Sequence, residues 1–318
     1  MYEFLIKNDK GLFTPAIEEP ITWSTERKNS PGQLDFTAIY DKDFPIEEGN
    51  PVRLKYKGKK VFYGFIFKIK RDKGKRLKIT AYDQLRYLKN KDTYVYENKK
   101  ASELIKMLAD DFNLQTGSLS DTGFKIKSRV ESNKTLFDII QTALDLTLES
   151  KNKMYVLYDD FGKITLKALA DMKVNILIDE ETGENYDYTS SIDESTYNKV
   201  KLTYDDEKSK KREVYISKDS SNINKWGVLQ YFDKVEKGED GKKKADSLLN
   251  LYNHKTKNLS LKNIFGDVRV RAGSMIIVKL DLGDVKLSNY MLVEKCKHEF
   301  RESSHLMTLT MRGGEFIA

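Results

Sequence analysis

Short runs of alternating apolar and polar residues, separated by tight turns, fill the first ninety residues and restrict this region to β structure. In the run LDFTAIY, Leu34, Phe36 and Ala38 fall on one face of a strand, and Asp35, Thr37 and Ile39 fall on the other. Turn signals at Lys57-Gly58 and Lys73-Gly74 separate the strands that follow. Several short strands at this spacing predict a small barrel or sandwich over residues 1–90.

The middle of the chain changes to a helical period. The apolar residues Ala101, Leu104, Ile105, Leu108 and Phe112 predict one helix, with Asn98 as its cap. A second helix is predicted from Thr135, with Asp138 as its capping-box partner, and a hairpin follows that turns at DDFG. We therefore predict an α+β unit over residues 91–185, inserted between two β domains.

Strand patterns return in residues 186–318, which we assign to a second β domain. YNKVKLTYDD and KREVYISKD are predicted to pair across the charged turn around Glu207 to Lys211, and one helix is predicted near residues 242–253. The chain then ends on three strand-like runs, RAGSMIIVKLDLG, NYMLVEKCKHEF and HLMTLTMR.

The two β regions repeat the same order of features. Each has a glycine, an outgoing strand, a turn, an aromatic-led strand, a polar turn and a closing strand with a central threonine. The glycines are Gly49 and Gly273, and the threonines are Thr80 and Thr308. The order indicates a duplicated unit, although β-hairpins resemble one another and accident is the alternative.

Positive charge is concentrated in one segment. Residues 51–100 hold 17 Lys/Arg against 4 Asp/Glu, whereas residues 1–50 and 101–200 are net acidic. The stretch KYKGKKVFYGFIFKIKR interleaves lysines with aromatic residues, as grooves that bind single-stranded nucleic acid do. A solvated face and a surface for an acidic protein partner are the alternatives. Strict alternation would place Phe65, Phe67 and Ile69 on one face, and Ile66, Lys68 and Lys70 on the other.

Residues suited to catalysis or metal binding are few. Cys296 is the single cysteine, and His298 and His305 lie on consecutive predicted strands, so a metal site is conceivable beside an ordinary sheet histidine pair. The acidic pairs Asp110-Asp111 and Asp159-Asp160 fall at a helix end and a hairpin turn, which are usual structural positions. We predict no enzyme activity, no cofactor and no metal.

No apolar run is long enough for a signal peptide or a membrane span, and the single cysteine suits a reducing compartment. We therefore expect a protein that is made in a cytoplasm and has no membrane partner.

Segments from nearly the whole chain resemble the XkdQ/YqbQ family of phage tail (baseplate) hub proteins of Gram-positive phages and phage-like particles. The resemblance lies in segments such as ITWSTERKNSPGQLDFT, GNPVRLKYKGKKVFYGFIFK, KTLFDIIQTALDLT, MYVLYDDFGKITLK and HLMTLTMRGGEFIA. It implies a mainly β fold with two tail-tube-like β-barrel domains separated by a helix-containing domain.

The resemblance also implies partners. Three chains would form a pseudo-sixfold ring that joins a hexameric tail-tube ring to a spike and contacts other baseplate proteins. Nucleic acid would enter only as DNA passing through the lumen, and the particle would be a virion or a phage-like tail. The alternative function is a nucleic-acid-binding OB-type protein that uses residues 55–76.

As a hypothesis, Trp23 anchors the first barrel or its junction, and the loop from Glu26 to Asn29 projects toward a neighbouring ring. Deletion of residues 26–29 would then spare folding and block ring stacking. The candidate interface residues are Trp23, Glu26, Arg27, Lys28, Lys55, Lys57, Lys59, Lys60, Lys68, Lys70 and Arg71.

Overall fold

The computed structural model describes residues 1–179, 182, 185–193, 195–206, 210–235, 240–281 and 286–313. Seven strands form what we call the first β unit. They are β1 (Tyr2–Asn8), β2 (Gly11–Phe13), β3 (Ile17–Glu26), β4 (Gln33–Ile39), β5 (Pro51–Tyr56), β6 (Lys59–Arg71) and β7 (Arg76–Tyr82).

A helix-containing unit follows. It consists of β8 (Lys91–Lys100), α1 (Ala101–Asp111), β9 (Thr116–Leu119), β10 (Lys125–Thr135), α2 (Leu136–Lys151), β11 (Tyr155–Asp159) and β12 (Ile164–Ala168). Helix α2 begins as predicted, because the Thr135 hydroxyl accepts a hydrogen bond from the Asp138 amide (3.1 Å). The predicted cap of α1 is wrong. Strand β8 continues through Asn98 to Lys100, whose amide donates to the Glu103 carboxylate (2.8 Å).

The second β unit consists of β13 (Lys173–Ile178), β14 (Asn185–Ser191), β18 (Thr256–Phe265), β19 (Met275–Asp281), β20 (Lys286–Phe300) and β21 (His305–Gly313). Between β14 and β18 the chain forms a small sheet of β15 (Lys199–Asp206), β16 (Lys211–Lys218) and β17 (Gln230–Lys234) with helices α3 (Ser220–Trp226) and α4 (Gly241–Tyr252). Strands β15 and β16 pair as predicted, while most of their connecting turn lies outside the described residues.

The strand order is the same in the two β units. It runs β1-β5-β6-β7-β4-β3 in the first unit and β13-β19-β20-β21-β18-β14 in the second. One difference is direction, since β1 is antiparallel to β5 whereas β13 is parallel to β19. This order confirms the mainly β fold with a helix-containing unit between two similar β units. Within the described residues the pairings form an open path, so neither unit closes into a barrel.

Matching hydrogen bonds locate the repeat at the level of single residues. Gly49 donates to the Ile66 carbonyl (2.7 Å), as Gly273 does to the Val293 carbonyl (2.7 Å). Both glycines have positive φ, 89° and 91°. The bulge after Ile66 in the β6–β7 pair recurs after Val293 in the β20–β21 pair.

The bulge corrects two details of the sequence prediction. It changes the phase of β6, so Ile66 and Ile69 both pack on the core, instead of lying on opposite faces. In the register of the repeat, the residue equivalent to Thr80 is Thr310, opposite Lys295, instead of Thr308.

Candidate functional site: the junction between the two β units

The two β units are joined through their edges by strands β3 and β20. The pairing is antiparallel and runs from Glu26 opposite Lys295 to Ile21 opposite Phe300. Phe300 is fully buried within the core of the first unit, although it belongs to a strand of the second. The sheet is therefore continuous across the junction.

Trp23, the residue expected to anchor the first barrel or its junction, lies at the centre of this junction. It lies on β3, which continues three residues past it, to Glu26. The indole is 3% exposed and stacks on the His298 ring, with ring centroids 5.0 Å apart. The guanidinium of Arg271 lies over the indole at 5.6 Å and over the Tyr158 ring at 4.3 Å. Trp23 thus contacts the second β unit directly, and Arg271 links it to the helix-containing unit.

His298 and His305 are brought together, as their places on consecutive strands suggested. The Nδ1 atom of His298 lies 2.9 Å from Nε2 of His305, and its Nε2 atom lies 2.9 Å from the Val270 carbonyl and 3.0 Å from the Cys296 sulfur. Burial lowers the pKa of His298 to about 3 and that of His305 to about 4. Burial also raises the pKa of the Cys296 thiol.

These three side chains form a line instead of enclosing a point. His298 directs its two nitrogens to different partners, so the ligands do not converge as a zinc site requires. In the described part of the chain, no group of three or more His, Cys, Asp or Glu side chains is placed to hold a metal ion. A neutral imidazole pair and a protonated thiol serve here as buried hydrogen-bonding groups.

Two buried carboxylates lie beside this network. Asp83 accepts hydrogen bonds from the amides of Gly32 (2.8 Å) and Leu85 (3.0 Å), and Asp159 accepts one from the Gly162 amide (2.6 Å). Burial raises the pKa of both, with Asp159 reaching about 6 and Asp83 raised further by the neighbouring charge of Asp159. The charge of Arg271 acts in the opposite direction on both groups. Three units of the chain therefore meet at these buried charges.

The loop from Glu26 to Asn29 is largely held by the chain itself. The Arg27 guanidinium forms a two-pronged ion pair with the Glu294 carboxylate (2.7 and 2.9 Å), and its side chain is 8% exposed. Burial lowers the pKa of Lys28, and Glu26 pairs with Lys295 (3.1 Å). Residues 27–30 line a groove with helix α2. The contact of this loop with a neighbouring ring stays a prediction.

The candidate lysines fall into two groups along β5 and β6. Lys57, Lys59 and Lys60 are exposed at the β5–β6 turn, next to Lys55, which pairs with Glu3 (3.4 Å). Lys68, Lys70 and Arg71 are exposed on the last residues of β6.

The aromatic residues among these lysines are buried or half-buried. Tyr56 and Phe62 are buried in the core. Phe65 packs against Tyr63 and Tyr87, and Phe67 packs against Tyr82 and Tyr87. A platform for stacking bases needs open ring faces, and the packing of these rings on one another does not favour the base-binding groove of the alternative interpretation.

Sequence reasoning missed Arg271 and Asp83 at the junction, and it named Asp159 only as part of an acidic pair at a hairpin turn. Arg271 lies in the connection between β18 and β19, Asp83 follows β7, and Asp159 ends β11, positions at which charged residues are common on the surface. The burial of the two aspartates beside Arg271 follows from the packing of three units that lie far apart in the sequence.

Comparison with known proteins places nearly the whole chain in one family. A model of the YQBQ-like family matches residues 21–312. The phage-like element PBSX protein XkdQ of Bacillus subtilis is 33% identical over 321 residues, covering 96% of this chain and 95% of that protein. YqbQ of the same organism is also 33% identical, with 96% and 94% covered.

Solved structures share the fold at low sequence identity. The 43 kDa tail protein of prophage MuSo2 from Shewanella oneidensis has a TM-score of 0.72 at 11% identity, covering 97% of this chain and 98% of that one. A tail protein from Neisseria meningitidis has a TM-score of 0.68 at 13% identity, covering 99% and 97%. Among the described residues, no helix is long and apolar enough to cross a membrane.

Proposed function

The chain belongs to the YQBQ-like family, and from this membership we propose that it is the structural hub of a phage or phage-like contractile tail. In this proposal three copies form a ring of six similar β units. One side of the ring meets the hexameric tail tube and the other meets the spike. Other baseplate proteins would contact the rim, and DNA would only pass through the lumen.

One observation supports the proposal above the others, namely the duplicated β unit. A trimer can match a sixfold partner only if each chain presents two similar surfaces. The common strand order, the paired glycines and the repeated bulge make the two units similar enough for this.

The proposed activity is assembly without catalysis. The Cys296 thiol and the two histidines are buried and engaged with one another, and burial raises the pKa of the thiol so that it stays protonated. The residues at the junction hold units together instead of facing a cleft.

We further propose the domain boundaries 1–90, 91–185 and 186–318, with assembly in the cytoplasm of a Gram-positive bacterium. Phe300 would be an exception to these boundaries, because a residue of the third segment packs in the core of the first.

Electron cryomicroscopy of the tail particle tests the function. We expect density for three chains at the join between tube and spike, with the two β units of each chain alternating around the axis. The proposal fails if the chain is absent from purified particles, or if each ring contains six whole chains. Binding of the purified protein to single-stranded DNA, with an affinity that falls steeply between 50 and 200 mM salt, would instead favour the nucleic-acid alternative.

A further inference from the structure

The pairing between the edges of the two β units occurs once within the chain, although the repeat supplies a second, equivalent pair of edges. Strand β3 of the first unit pairs with residues 295–300 of β20 in the second unit. The equivalent strands are β14 and the last residues of β6. In the part of the chain that the structure describes, β14 pairs only with β18, and residues 66–71 of β6 pair as a strand only with β7.

The correspondence follows from the strand registers. One row of neighbours crosses the first unit, and an equivalent row crosses the second. The rows are Trp23, Leu34, Ala81 and Ile66 in the first unit, and Tyr188, Leu259, Met311 and Val293 in the second. Seven of these eight side chains are buried, and Tyr188 is half-buried against the second core. The rows therefore lie on the same face of the two units.

We propose that β14 of one copy of this chain pairs with the end of β6 in the next copy, in the same way that β3 pairs with β20 within the chain. The inference rests on the proposed ring, and it names the strands that would close that ring. Transferring the register of the β3–β20 pair places Lys68 opposite Ser191, Lys70 opposite Thr189 and Arg71 opposite Tyr188.

Charge supports a second copy as the partner. The end of β6 carries Lys68, Lys70 and Arg71, whereas β14 carries Asp187 and no Lys or Arg, with Asp179 and Asp193 on either side of it. Opposite charges attract the two edges and disfavour the pairing of like edges. This assigns a role to the most basic part of residues 51–100.

The lysines also explain why the edge would not pair at random. An exposed strand edge is a template for unwanted pairing, and charged side chains, lysine above all, prevent it. Lys68 and Lys70 would repel a basic edge, would lose hydration against an apolar one, and would attract an acidic one. Such a head-to-tail contact is heterologous and closes into a ring when its rotation allows.

A disulfide cross-link tests the pairing. The Arg27 amide donates to the Glu294 carbonyl (3.0 Å), so the neighbouring pairs Glu26–Lys295 and Ser24–Lys297 are of the non-hydrogen-bonded type, whose side chains approach closely. The pair equivalent to Ser24–Lys297 is Thr189–Lys70. We expect the purified K70C/T189C variant to form covalent dimers and trimers under oxidation, with the ladder ending at three chains.

Two matched variants act as controls. S24C/K297C should form its disulfide within one chain and leave the mass unchanged. In K70C/S190C the second cysteine points to the other face of β14, so this variant should cross-link at least ten times less than K70C/T189C.

The outcomes separate the pairing from the ring. A trimer by native mass spectrometry without the K70C/T189C cross-link overturns the strand pairing and leaves the proposed ring intact. Cross-linked ladders that pass three chains support the pairing and contradict the trimer. A chain that stays monomeric at millimolar concentration and forms no cross-link also overturns the inference, while the particle map still decides the function.

Discussion

At the scale of single residues, the junction depends on buried polar groups whose charge states are set by their surroundings. His298 and His305 are neutral at pH 7, because burial lowers the pKa of each. Asp159 and Asp83 have raised pKa values for the same physical reason, since burial disfavours the charged form of both residue types. Acid therefore lowers the free energy of unfolding through the two histidines and raises it through the two aspartates.

The pH dependence of unfolding tests this opposition. The histidines contribute stability that is present above the pKa of about 6.5 of an unfolded chain and is lost as pH falls through their folded values. Asp159 contributes stability that is present below its unfolded pKa and is lost as pH rises through about 6. Asp159→Asn removes the second contribution. As the pH falls from 6 to 4, we expect the free energy of unfolding of this variant, measured with urea, to decrease by up to about 1.4 kcal/mol more per pH unit than that of the unsubstituted protein. Parallel pH profiles would contradict the assignment.

Arg27 gives a second test at this scale. Its ion pair with Glu294 joins the loop after β3 to β20, so deletion of residues 26–29 should lower stability instead of sparing the fold. We expect Arg27→Ala to cost about 3 kcal/mol in the free energy of unfolding, because it leaves the Glu294 carboxylate without its partner. The double variant R27A/E294A should cost less than R27A alone. Equal losses in both would show that the pair contributes little.

The repeated glycines offer a matched pair of variants. Alanine at Gly49 or Gly273 meets the same backbone strain, since φ is 89° or 91°, and each should cost about 1–3 kcal/mol. At Gly273 the new Cβ would also lie 2.3 Å from Cγ1 of Val156, whereas nothing lies within 4 Å at Gly49. G273A should therefore be the more destabilising variant, and V156A should recover part of its loss. Equal melting temperatures for G49A and G273A would contradict the close approach.

At the scale of elements, strand β6 shows how one bulge changes which residues of a strand face the core. Before the bulge Ile66 faces the core, and after it Ile69 does so as well, as Val293 and Cys296 do in β20. Beyond the bulge, Lys68, Lys70 and Arg71 lie on an exposed strand end that pairs, among the strands that the structure describes, only with β7. The element thus carries a core face, an aromatic face and a charged edge.

Charge reversal along β6 tests which lysines matter. The triple variant K68E/K70E/R71E should weaken self-association by ~100-fold or more, because three glutamates would then lie beside β14, which carries Asp187 and is flanked by Asp179 and Asp193, and like charges repel. The control is K57E/K59E/K60E, which changes the net charge equally at the exposed β5–β6 turn. Sedimentation velocity of both variants measures the effect. A similar loss in the control would show that net charge, instead of the edge, governs assembly.

At the scale of the whole molecule, the two β units are not independent of each other. The edge of β3 is completed by β20, and Phe300 fills part of the first core. The first unit therefore requires a strand that begins more than 200 residues after it ends.

A fragment experiment follows from this dependence. Residues 1–90 expressed alone should melt at a lower temperature, and with a broader transition, than the whole chain. Loss of the buried Phe300 ring alone corresponds to about 3–5 kcal/mol. Co-expression with residues 186–318 should restore a cooperative transition. Circular dichroism recorded at increasing temperature measures the transition in each case. A fragment 1–90 that melts like the whole chain would contradict the shared core.

The amino-acid sequence by itself determined the local structure and the family. Alternation predicted β4, the Lys57-Gly58 turn predicted the β5–β6 hairpin, and Thr135 with Asp138 predicted the start of α2, because each depends on residues close together in the chain. Quoted segments along the whole chain indicated the XkdQ/YqbQ family, which the comparisons confirmed.

Only the tertiary structure decided which residues meet at the junction. The stacking of Trp23 on His298, the burial of Asp83 and Asp159 beside Arg271, and the ion pair of Arg27 with Glu294 all join residues far apart in sequence. Local patterns contain no information on such pairs, since a charged residue at a strand end is usually solvated. The phase change at the β6 bulge was likewise undetermined, because an extra residue in a strand is defined by the partner strand that it fails to match.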